Sequence, residues 1–337
     1  MPLLFQPLLY ILLGFFIFYM VYANEHQTNT SWQAFGRLVD AERGSHIAGV
    51  LELKRYLNRF GYLSSNDNFT DAFDVSLETA LSQYQSKLGL PITGRLDSRT
   101  LSEIMSPRCG VSDAAAPRRK AFAFFLGEPR WARARPMNLT YGLSPFDTID
   151  YIPRAEILAI LRRAFDRWSR VIPVNFVEAE EYELADVKLA FVAGDHGDGE
   201  PFDGVLGVLA HAFSPMSGRL HFDSAERWAV DFGEEDSRVA VDLESVATHE
   251  IGHVLGLAHS SVRESVMFPS LSPRTRKTEL RADDVRGVQA LYGSNPKFQL
   301  SSLMESDTSS SSSPITTEIG WRSFIGILLM VIIMMLL

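Results

Sequence analysis

The segment HEIGHVLGLAH, which begins at His249, holds three histidines and one glutamate at a spacing that suits a metal ion. On a helix, His249 and His253 lie one turn apart on the same face, so both imidazoles can bind one zinc ion. Gly256 allows a sharp turn out of the helix that returns His259 as a third nitrogen ligand. Three neutral imidazoles leave one position open, which is typical of a catalytic zinc. Glu250 stands beside this stripe, where its carboxylate can take a proton from zinc-bound water.

A bare HExxH sequence also occurs by chance on helices that bind no metal. The longer pattern HExxHxxGxxH fixes more positions, and Met267 follows its last histidine eight residues later. Each added position lowers the chance of an accidental match. The full pattern is the signature of the metzincins, in which Met267 would form the turn beneath the zinc.

A second cluster of histidine and acidic side chains lies upstream, between residues 196 and 226. Three histidines and one carboxylate form a closed set of four ligands, which suits a structural zinc. The remaining carboxylates are hard oxygen ligands of the kind that calcium prefers, and solvated loop charges are the alternative. The candidate zinc ligands are His196, Asp198, His211 and His221, and the candidate calcium carboxylates are Asp203, Asp223 and Glu226.

Cys109 is the only cysteine of the chain and stands in the segment PRCGVSD. A single cysteine excludes an intrachain disulfide framework. A zinc ion stabilises a thiolate, so the sulfur of Cys109 could fill the fourth position on the catalytic zinc and exclude water. A buried free thiol without a chemical role is the alternative.

Two bodies of regular pattern must position these residues. Apolar side chains at three- and four-residue spacing predict three helices within residues 46–105, and so a small helical bundle. Residues 136–293 alternate strand-like runs with amphipathic helices, which predicts a sheet covered by helices. The stretch 106–135 between them holds small and basic residues and is interpreted as an exposed, cleavable linker. In the larger body the pattern predicts helices at 154–171, 243–257 and 282–292, and strands at 138–142, 174–177, 187–192 and 219–223.

These motifs resemble those of the matrixins, or matrix metalloproteinases, over about residues 46–293. Ser260 after the third histidine resembles this branch of the metzincins, PRCGVSD resembles its cysteine switch, and the bundle resembles its peptidoglycan-binding-like propeptide domain. The segments GVLGVLAHAFSP and HSSVRESVMFP look most like plant-type matrixins without a hemopexin-like domain. The resemblance implies a metzincin catalytic domain, with a twisted, mostly parallel five-stranded sheet and three helices, preceded by a small all-α propeptide domain.

The resemblance also implies roles for residues around the upstream cluster. It implies one structural zinc and calcium at the two ligand sets, in addition to the catalytic zinc. The backbone carbonyls of Gly204, Leu206 and Val208 would complete the calcium site. The loop that begins at Pro215 is short for this family, which puts in doubt a second calcium site to which Asp186 would contribute.

For the cysteine segment, the resemblance implies an ion pair between Arg108 and Asp113. Activation cleavage would fall near the basic cluster before Ala121. The freed terminal ammonium would then pair with an aspartate of the last helix, Asp283 or Asp284.

A substrate would extend along the edge strand near residues 208–213. By resemblance, a specificity pocket behind the zinc would be walled by Pro269 and Leu271 and would take an apolar residue that follows the cleaved bond.

The two ends carry targeting patterns. The apolar run within residues 3–23 ends in Val-Tyr-Ala and predicts a signal peptide, with an uncleaved signal anchor as the alternative. After the serine-rich stretch 306–314, the apolar run 324–337 predicts a GPI signal with attachment near Ser310, and a short tail anchor is the alternative. The N-x-S/T triplets predict glycans at Asn29, Asn68 and Asn138.

The 337 residues include 32 basic and 41 acidic side chains, and the net charge of −9 argues against a nucleic-acid binder. We therefore expect a latent, monomeric zinc endopeptidase that acts on extracellular proteins, with Glu250 as general base and Cys109 as internal inhibitor. A non-catalytic cell-surface protein that binds through its helical domain is the alternative. The expected division is a signal peptide at 1–23, a propeptide at 24–120, a catalytic domain at 121–293 and a C-terminal tail at 294–337.

Overall fold

The computed structural model describes residues 32–64, 69–114 and 122–299. Several predictions lie outside the described residues: the signal peptide, the glycans at Asn29 and Asn68, the cleavage before Ala121 and the attachment near Ser310. Within the described ranges, no helix combines the length and the apolar character that crossing a membrane would need.

The N-terminal body is a bundle of three helices, as the spacing predicts. Two of the helices begin at a capping carboxylate: Asp74 accepts a hydrogen bond from the Leu77 amide, and Asp97 accepts one from the Thr100 amide, each at 2.9 Å. The helices are α1 (Val50–Arg59), α2 (Val75–Lys87) and α3 (Ser98–Ile104).

The bundle begins before residue 46, earlier than the sequence pattern indicates. A 3-10 helix, Gln33–Leu38, precedes α1, and the side chains of Trp32, Phe35 and Leu38 lie in the core of the bundle. These three side chains repeat every three residues, the period of a 3-10 helix, but the segment is too short for that spacing to predict a helix.

The larger body is built on a mostly parallel sheet. In chain order, β1 to β10 are Arg108–Cys109, Ala123–Phe124, Met137–Leu143, Val174–Glu178, Val187–Val192, Val208–Ala212, Arg219–Asp223, Trp228–Ala229, Val241–Asp242 and Leu257–Ala258. The strands of the main sheet follow the order β1-β6-β7-β5-β3-β4, with β6 antiparallel to β7 and every other pair parallel. Five of these six strands belong to the larger body, so the predicted mostly parallel five-stranded sheet is confirmed.

Three helices cover this sheet, as predicted. The three helices are α4 (Arg154–Val171), α5 (Leu243–Val254) and α6 (Ala282–Tyr292). All residues of α5 are buried, and the helix ends at Val254 rather than at Leu257 because Gly256 adopts a φ of 104°. α4 packs against α5, and the Trp168 indole donates a 2.9 Å hydrogen bond to the Thr248 carbonyl.

The stretch interpreted as an exposed linker is docked along much of its described length. β1 adds a sixth strand to the main sheet, with Arg108 opposite Val208 and Cys109 opposite Ala210. β2 pairs antiparallel with β10. Both Arg108 and Cys109 are buried. The interpretation as an exposed linker is therefore wrong for these strands, because an extended backbone can satisfy its hydrogen bonds on a strand edge that lies far away in the sequence.

Candidate metal centres and active site

Helix α5 and the turn that follows it bring the three histidines of the motif together. The helix begins at Asp242, whose carboxylate accepts a 2.8 Å hydrogen bond from the Ser245 amide. It presents His249 and His253 on one face. The turn requires a glycine at position 256, since a Cβ there would lie 2.3 Å from the Pro129 carbonyl oxygen.

The three imidazoles point one nitrogen each at a common centre. The Nε2 atom of His253 lies 3.1 Å from that of His249 and 3.2 Å from that of His259. Ligands about 2.0–2.1 Å from a tetrahedral zinc are separated by roughly 3.3 Å, so the histidines fit such an ion. The Nδ1 atoms are held at 2.7 Å from the Val266 carbonyl, at 2.8 Å from the Leu257 carbonyl and at 2.6 Å from an oxygen of Asp113.

These outer contacts fix the chemistry of the imidazoles. An Nδ1–H that donates to an oxygen leaves the Nε2 lone pair free for a metal. Burial lowers the pKa of His249, His253 and His259, and the neighbouring imidazoles lower it further for His249 and His253. The histidines are therefore neutral, which is the form that binds zinc.

Glu250 is fully buried beside this centre. Neither carboxylate oxygen has a well-formed hydrogen bond to any residue that the structure describes. Burial raises the pKa of Glu250 to about 8, and the nearby Cys109 thiol offsets this only in part. An unsatisfied buried carboxylate is costly unless something polar completes it, so the site fits a bound metal ion with water.

The sulfur of Cys109 completes the set of donor atoms. It lies 3.4 Å from Nε2 of His253 and accepts a hydrogen bond from the Val111 amide at 3.4 Å. Together, Cys109 and the three histidines offer four donor atoms that all lie within 4.8 Å of one another. Burial raises the pKa of the thiol well above its usual value, and the charge of Glu250 raises it further.

Asp113 connects the cysteine segment to the histidines. It pairs with Arg108 through two contacts of 2.9 Å, and it accepts a 2.7 Å hydrogen bond from the Tyr62 hydroxyl. Its contact with Nδ1 of His259 is the shortest of the set, at 2.6 Å. Burial alone would raise the pKa of Asp113, but the charge of the Arg108 guanidinium and the contact with His259 lower it below its usual value. The sequence suggests the pair with Arg108 by resemblance, but nothing in it indicates the contact with His259.

The turn at Met267 is organised by Asp284. The Asp284 carboxylate accepts hydrogen bonds from the amides of Val266 at 2.9 Å and of Met267 at 3.0 Å. Gly252 lies directly against this turn, because a Cβ at position 252 would lie 2.3 Å from the sulfur of Met267. Sequence reasoning missed the close fit at Gly252, since only the fold brings this helix position against a turn fifteen residues later.

The upstream histidines also converge. Three contacts of 2.9 Å join one oxygen of Asp198 to ring nitrogens of the three histidines. These four side chains form a second group whose donor atoms all lie within 4.8 Å of one another. Burial lowers the pKa of His211 to about 4, which favours its neutral form. The four residues are the ones expected from the sequence, namely His196, Asp198, His211 and His221.

The carboxylates expected to bind calcium come from two neighbouring segments: Asp203 precedes β6, Asp223 ends β7, and Glu226 follows β7. Burial and a neighbouring carboxylate raise the pKa of Asp223 to about 6 and that of Glu226 to about 8, and burial also raises the pKa of Asp203. Buried carboxylates that repel one another are relieved by a cation. Their oxygens accept hydrogen bonds from the amides of Val208 at 2.7 Å, Gly204 at 3.2 Å and Leu206 at 2.7 Å.

Asp186, considered for a second calcium site, is already engaged by protein groups. Its carboxylate pairs with the Arg133 guanidinium and accepts hydrogen bonds from the Thr140 amide at 2.8 Å and hydroxyl at 3.0 Å. Asn138, on β3, is exposed, as a glycan acceptor must be, and its side-chain oxygen accepts a 3.0 Å hydrogen bond from Asn175.

A narrow cavity of about 20 Å³ opens beside the three histidines. Its wall includes Pro269 and Leu271, as the resemblance implies, and also Cys109. Most of the lining is apolar, but the side chains of Ser245 and Lys277 add polar groups that sequence reasoning did not identify. The strand β6, along which a substrate is expected to extend, carries β1 at its edge.

Comparison with known proteins agrees with this geometry. The family model described as Matrixin matches residues 130–293, and a model for a peptidoglycan binding domain matches residues 47–104. Metalloendoproteinase 1-MMP of Arabidopsis thaliana is 51% identical over 91% of this chain and 86% of its own length. Metalloendoproteinase 1 of Glycine max is 42% identical over 75% and 85%, and stromelysin-1 of Mus musculus is 38% identical over 73% and 50%.

These matches favour the enzyme over the non-catalytic binding protein considered as an alternative. The relatives from Arabidopsis and Glycine also agree with the predicted likeness to plant-type matrixins. The chain belongs to the matrixin family of zinc metalloendopeptidases.

Proposed function

We propose that this matrixin is made as a latent precursor and hydrolyses peptide bonds of extracellular proteins with Glu250 as general base. The observation that carries the proposal is the convergence of Cys109 and three neutral histidines beside a buried, unsatisfied Glu250. Bound by His249, His253 and His259, zinc would supply Lewis acidity to the scissile carbonyl and lower the pKa of an attacking water.

The protein groups then perform the proton transfers. Glu250 accepts a proton from the attacking water and delivers it to the leaving amine. One carboxyl at this position can act first as the base and then as the acid, because it lies beside the histidines that would hold the zinc. The edge of β6 would hold the extended substrate through backbone hydrogen bonds, in the place that β1 occupies in the precursor.

Removal of the metal tests this function. We expect a zinc chelator to abolish cleavage of a casein-type substrate by the activated enzyme, and added zinc to restore it. Calcium is held constant throughout, so that only the zinc sites are emptied. Cleavage that persists after the zinc has been removed, with the zinc content measured directly, would contradict the proposal.

Latency in the precursor would rest on the Cys109 thiolate at the open zinc position. The high pKa of the buried thiol means that the thiolate needs a nearby cation, and zinc would provide it. Asp113 supports this arrangement, since it holds Arg108 on one side and the His259 ring on the other. The prosegment would therefore contact one zinc ligand, His259, and would also supply the fourth ligand of the zinc.

Asp113→Asn gives a testable consequence for latency. We expect the uncleaved variant to cleave a peptide about ten-fold or more faster than the uncleaved wild type, because the buried Arg108 would lose its counter-ion. The measurement is the rate at which a fluorogenic peptide is cleaved before prosegment removal. Asp71→Asn, which alters a partly exposed carboxylate of the bundle, serves as the control. A fully latent Asp113→Asn precursor would show that this carboxylate is dispensable.

After activation cleavage, the new N-terminal ammonium would form an ion pair with Asp283. The Asp283 carboxylate accepts hydrogen bonds from the Ser260 hydroxyl at 2.6 Å and from the Phe122 amide. Asp284 is instead occupied by the turn at Met267. Of the two candidate partners for the freed ammonium, the contacts therefore support Asp283.

The remaining assignments follow the same family expectation. The upstream cluster of three histidines and Asp198 would hold a structural zinc, and the carboxylates of Asp203, Asp223 and Glu226 would hold calcium. We also propose the domain division given by the sequence, secretion through the N-terminal signal, a GPI anchor near Ser310 and a monomeric state. Release from membranes by a phosphatidylinositol-specific phospholipase would distinguish the GPI anchor from a tail anchor.

A further inference from the structure

One prosegment carboxylate is buried against the catalytic domain away from the zinc ligands. Glu103, near the end of α3, has a side chain that is only 6% exposed. One of its oxygens lies 2.6 Å from the Arg263 guanidinium, and the other accepts a 2.6 Å hydrogen bond from the Ser270 hydroxyl. Both partners belong to the catalytic domain, so Glu103 occupies a ready-made carboxylate-binding site.

A second cation stands beside this site. The Arg263 guanidinium and the Lys277 ammonium lie 4.9 Å and 5.2 Å from the ring centre of Phe268. The Lys277 ammonium donates a 3.0 Å hydrogen bond to the Arg263 carbonyl, and Lys277 also lines the specificity pocket. Burial lowers the pKa of Lys277 to about 8, and the charges of Asp284, Glu103 and Glu264 act against this.

Removal of the prosegment would leave these cations with less negative charge nearby. Asp284 is committed to the amides of the turn at Met267, and Glu264 lies on the exposed surface. Glu103 is the carboxylate with which Arg263 forms an ion pair within the described ranges. When Glu103 leaves, a carboxylate of a bound peptide can replace it.

The position of the site specifies which part of a substrate would reach it. Ser270 lies within the wall of the specificity pocket, between Pro269 and Leu271. In the precursor, the Leu271 amide donates a hydrogen bond to the Pro107 carbonyl at 3.0 Å, and the Pro269 carbonyl accepts one from the Cys109 amide at 2.9 Å. The pocket wall therefore binds the extended backbone of the cysteine segment in the precursor, and a substrate backbone could bind there in its place. Because the pocket takes the residue after the cleaved bond, the site borders the C-terminal side of that bond.

We propose that Arg263, Ser270 and Lys277 form a subsite for an acidic side chain of the substrate, on the C-terminal side of the cleaved bond, and that Glu103 fills it in the precursor. This inference rests on the proposed peptidase function and adds a preference for acidic residues. It also explains why a carboxylate is buried at a surface that the mature enzyme must expose.

Matched peptides test the subsite in the full-length protein after prosegment removal by limited proteolysis. Each pair differs only by glutamate or glutamine at one of the four positions that follow the cleaved bond. We expect kcat/KM to favour glutamate by about five-fold at one of these positions, the size of a well-formed exposed ion pair. Arg263→Met should bring this ratio to about one, and Arg263→Glu should favour lysine over glutamine there. Arg170→Met, which alters an exposed arginine on α4, should leave the ratio unchanged.

The outcomes separate the subsite from the proposed function. Cleavage of all peptides with a ratio near one at every position would overturn the subsite and leave the peptidase intact. A ratio that survives Arg263→Met would also overturn it. Binding of the same pairs to prosegment-free Glu250→Gln protein, measured as Kd, provides a readout without turnover. Equal Kd values for every pair would overturn the subsite even if no peptide were cleaved.

Discussion

Glu250→Ala is expected to lower kcat for peptide hydrolysis by about 100- to 10,000-fold, the range that a positioned general base contributes. Glu250 is the buried carboxylate next to the three histidines, and among the described residues its oxygens have no well-formed hydrogen-bond donor. The alanine variant keeps all three histidines, so we expect full zinc content. Since a buried carboxylate without a partner is costly, the variant should melt at the same or a higher temperature than the wild type.

The measurement combines three readouts on the activated enzyme: turnover of a fluorogenic peptide, zinc stoichiometry and thermal melting. Glu250→Gln preserves the size of the side chain and should lose turnover to a similar extent, which separates proton transfer from packing. Glu264→Ala, at an exposed position, is the control and should remain active. Retained proteolysis in the alanine variant, with zinc bound, would refute the role of Glu250.

Cys109→Ser is expected to produce a precursor that is active, or that cleaves itself, without an added protease. The thiol lies 3.4 Å from Nε2 of His253, and a hydroxyl in its place is a far weaker zinc ligand than a thiolate. We expect activity of the uncleaved chain to rise about ten-fold or more, which corresponds to about 1.4 kcal/mol of lost binding. The measurement is peptide cleavage by the uncleaved chain, confirmed by mass.

A matched variant controls for disturbance of the loop. Ser112→Ala changes a hydroxyl that contacts the Ala114 amide, within the same segment but away from the zinc ligands. It should remain latent. The double variant Cys109→Ser with Glu250→Ala should be open but unable to cleave itself, so its prosegment can be examined intact. Complete latency of Cys109→Ser would count against the switch.

The sequence was most informative where one short segment determines the geometry. Helical spacing places His249 and His253 on one face, and Gly256 alone permits the turn that returns His259. These features depend on local backbone geometry, which local sequence controls. The helices at 154–171 and 282–292 were predicted within the same bounds for the same reason.

Contacts between distant segments could not be predicted in this way. Asp113 meets His259 across 146 residues, and Glu103 meets Arg263 across 160. No periodicity links such pairs, because their proximity depends on how the helical bundle and the cysteine segment pack on the larger body. The strand β1 was missed for the same reason, since its partner β6 lies about a hundred residues away.

X-ray absorption at the zinc edge of the intact precursor would identify the atoms bound to the catalytic zinc. We expect three nitrogen ligands and one sulfur ligand, and we expect the sulfur to be lost in Cys109→Ser and after prosegment removal. The proposed upstream zinc has no sulfur ligand, so it adds only nitrogen and oxygen to the signal. A precursor that binds zinc with no zinc–sulfur distance near 2.3 Å would rule out coordination by Cys109.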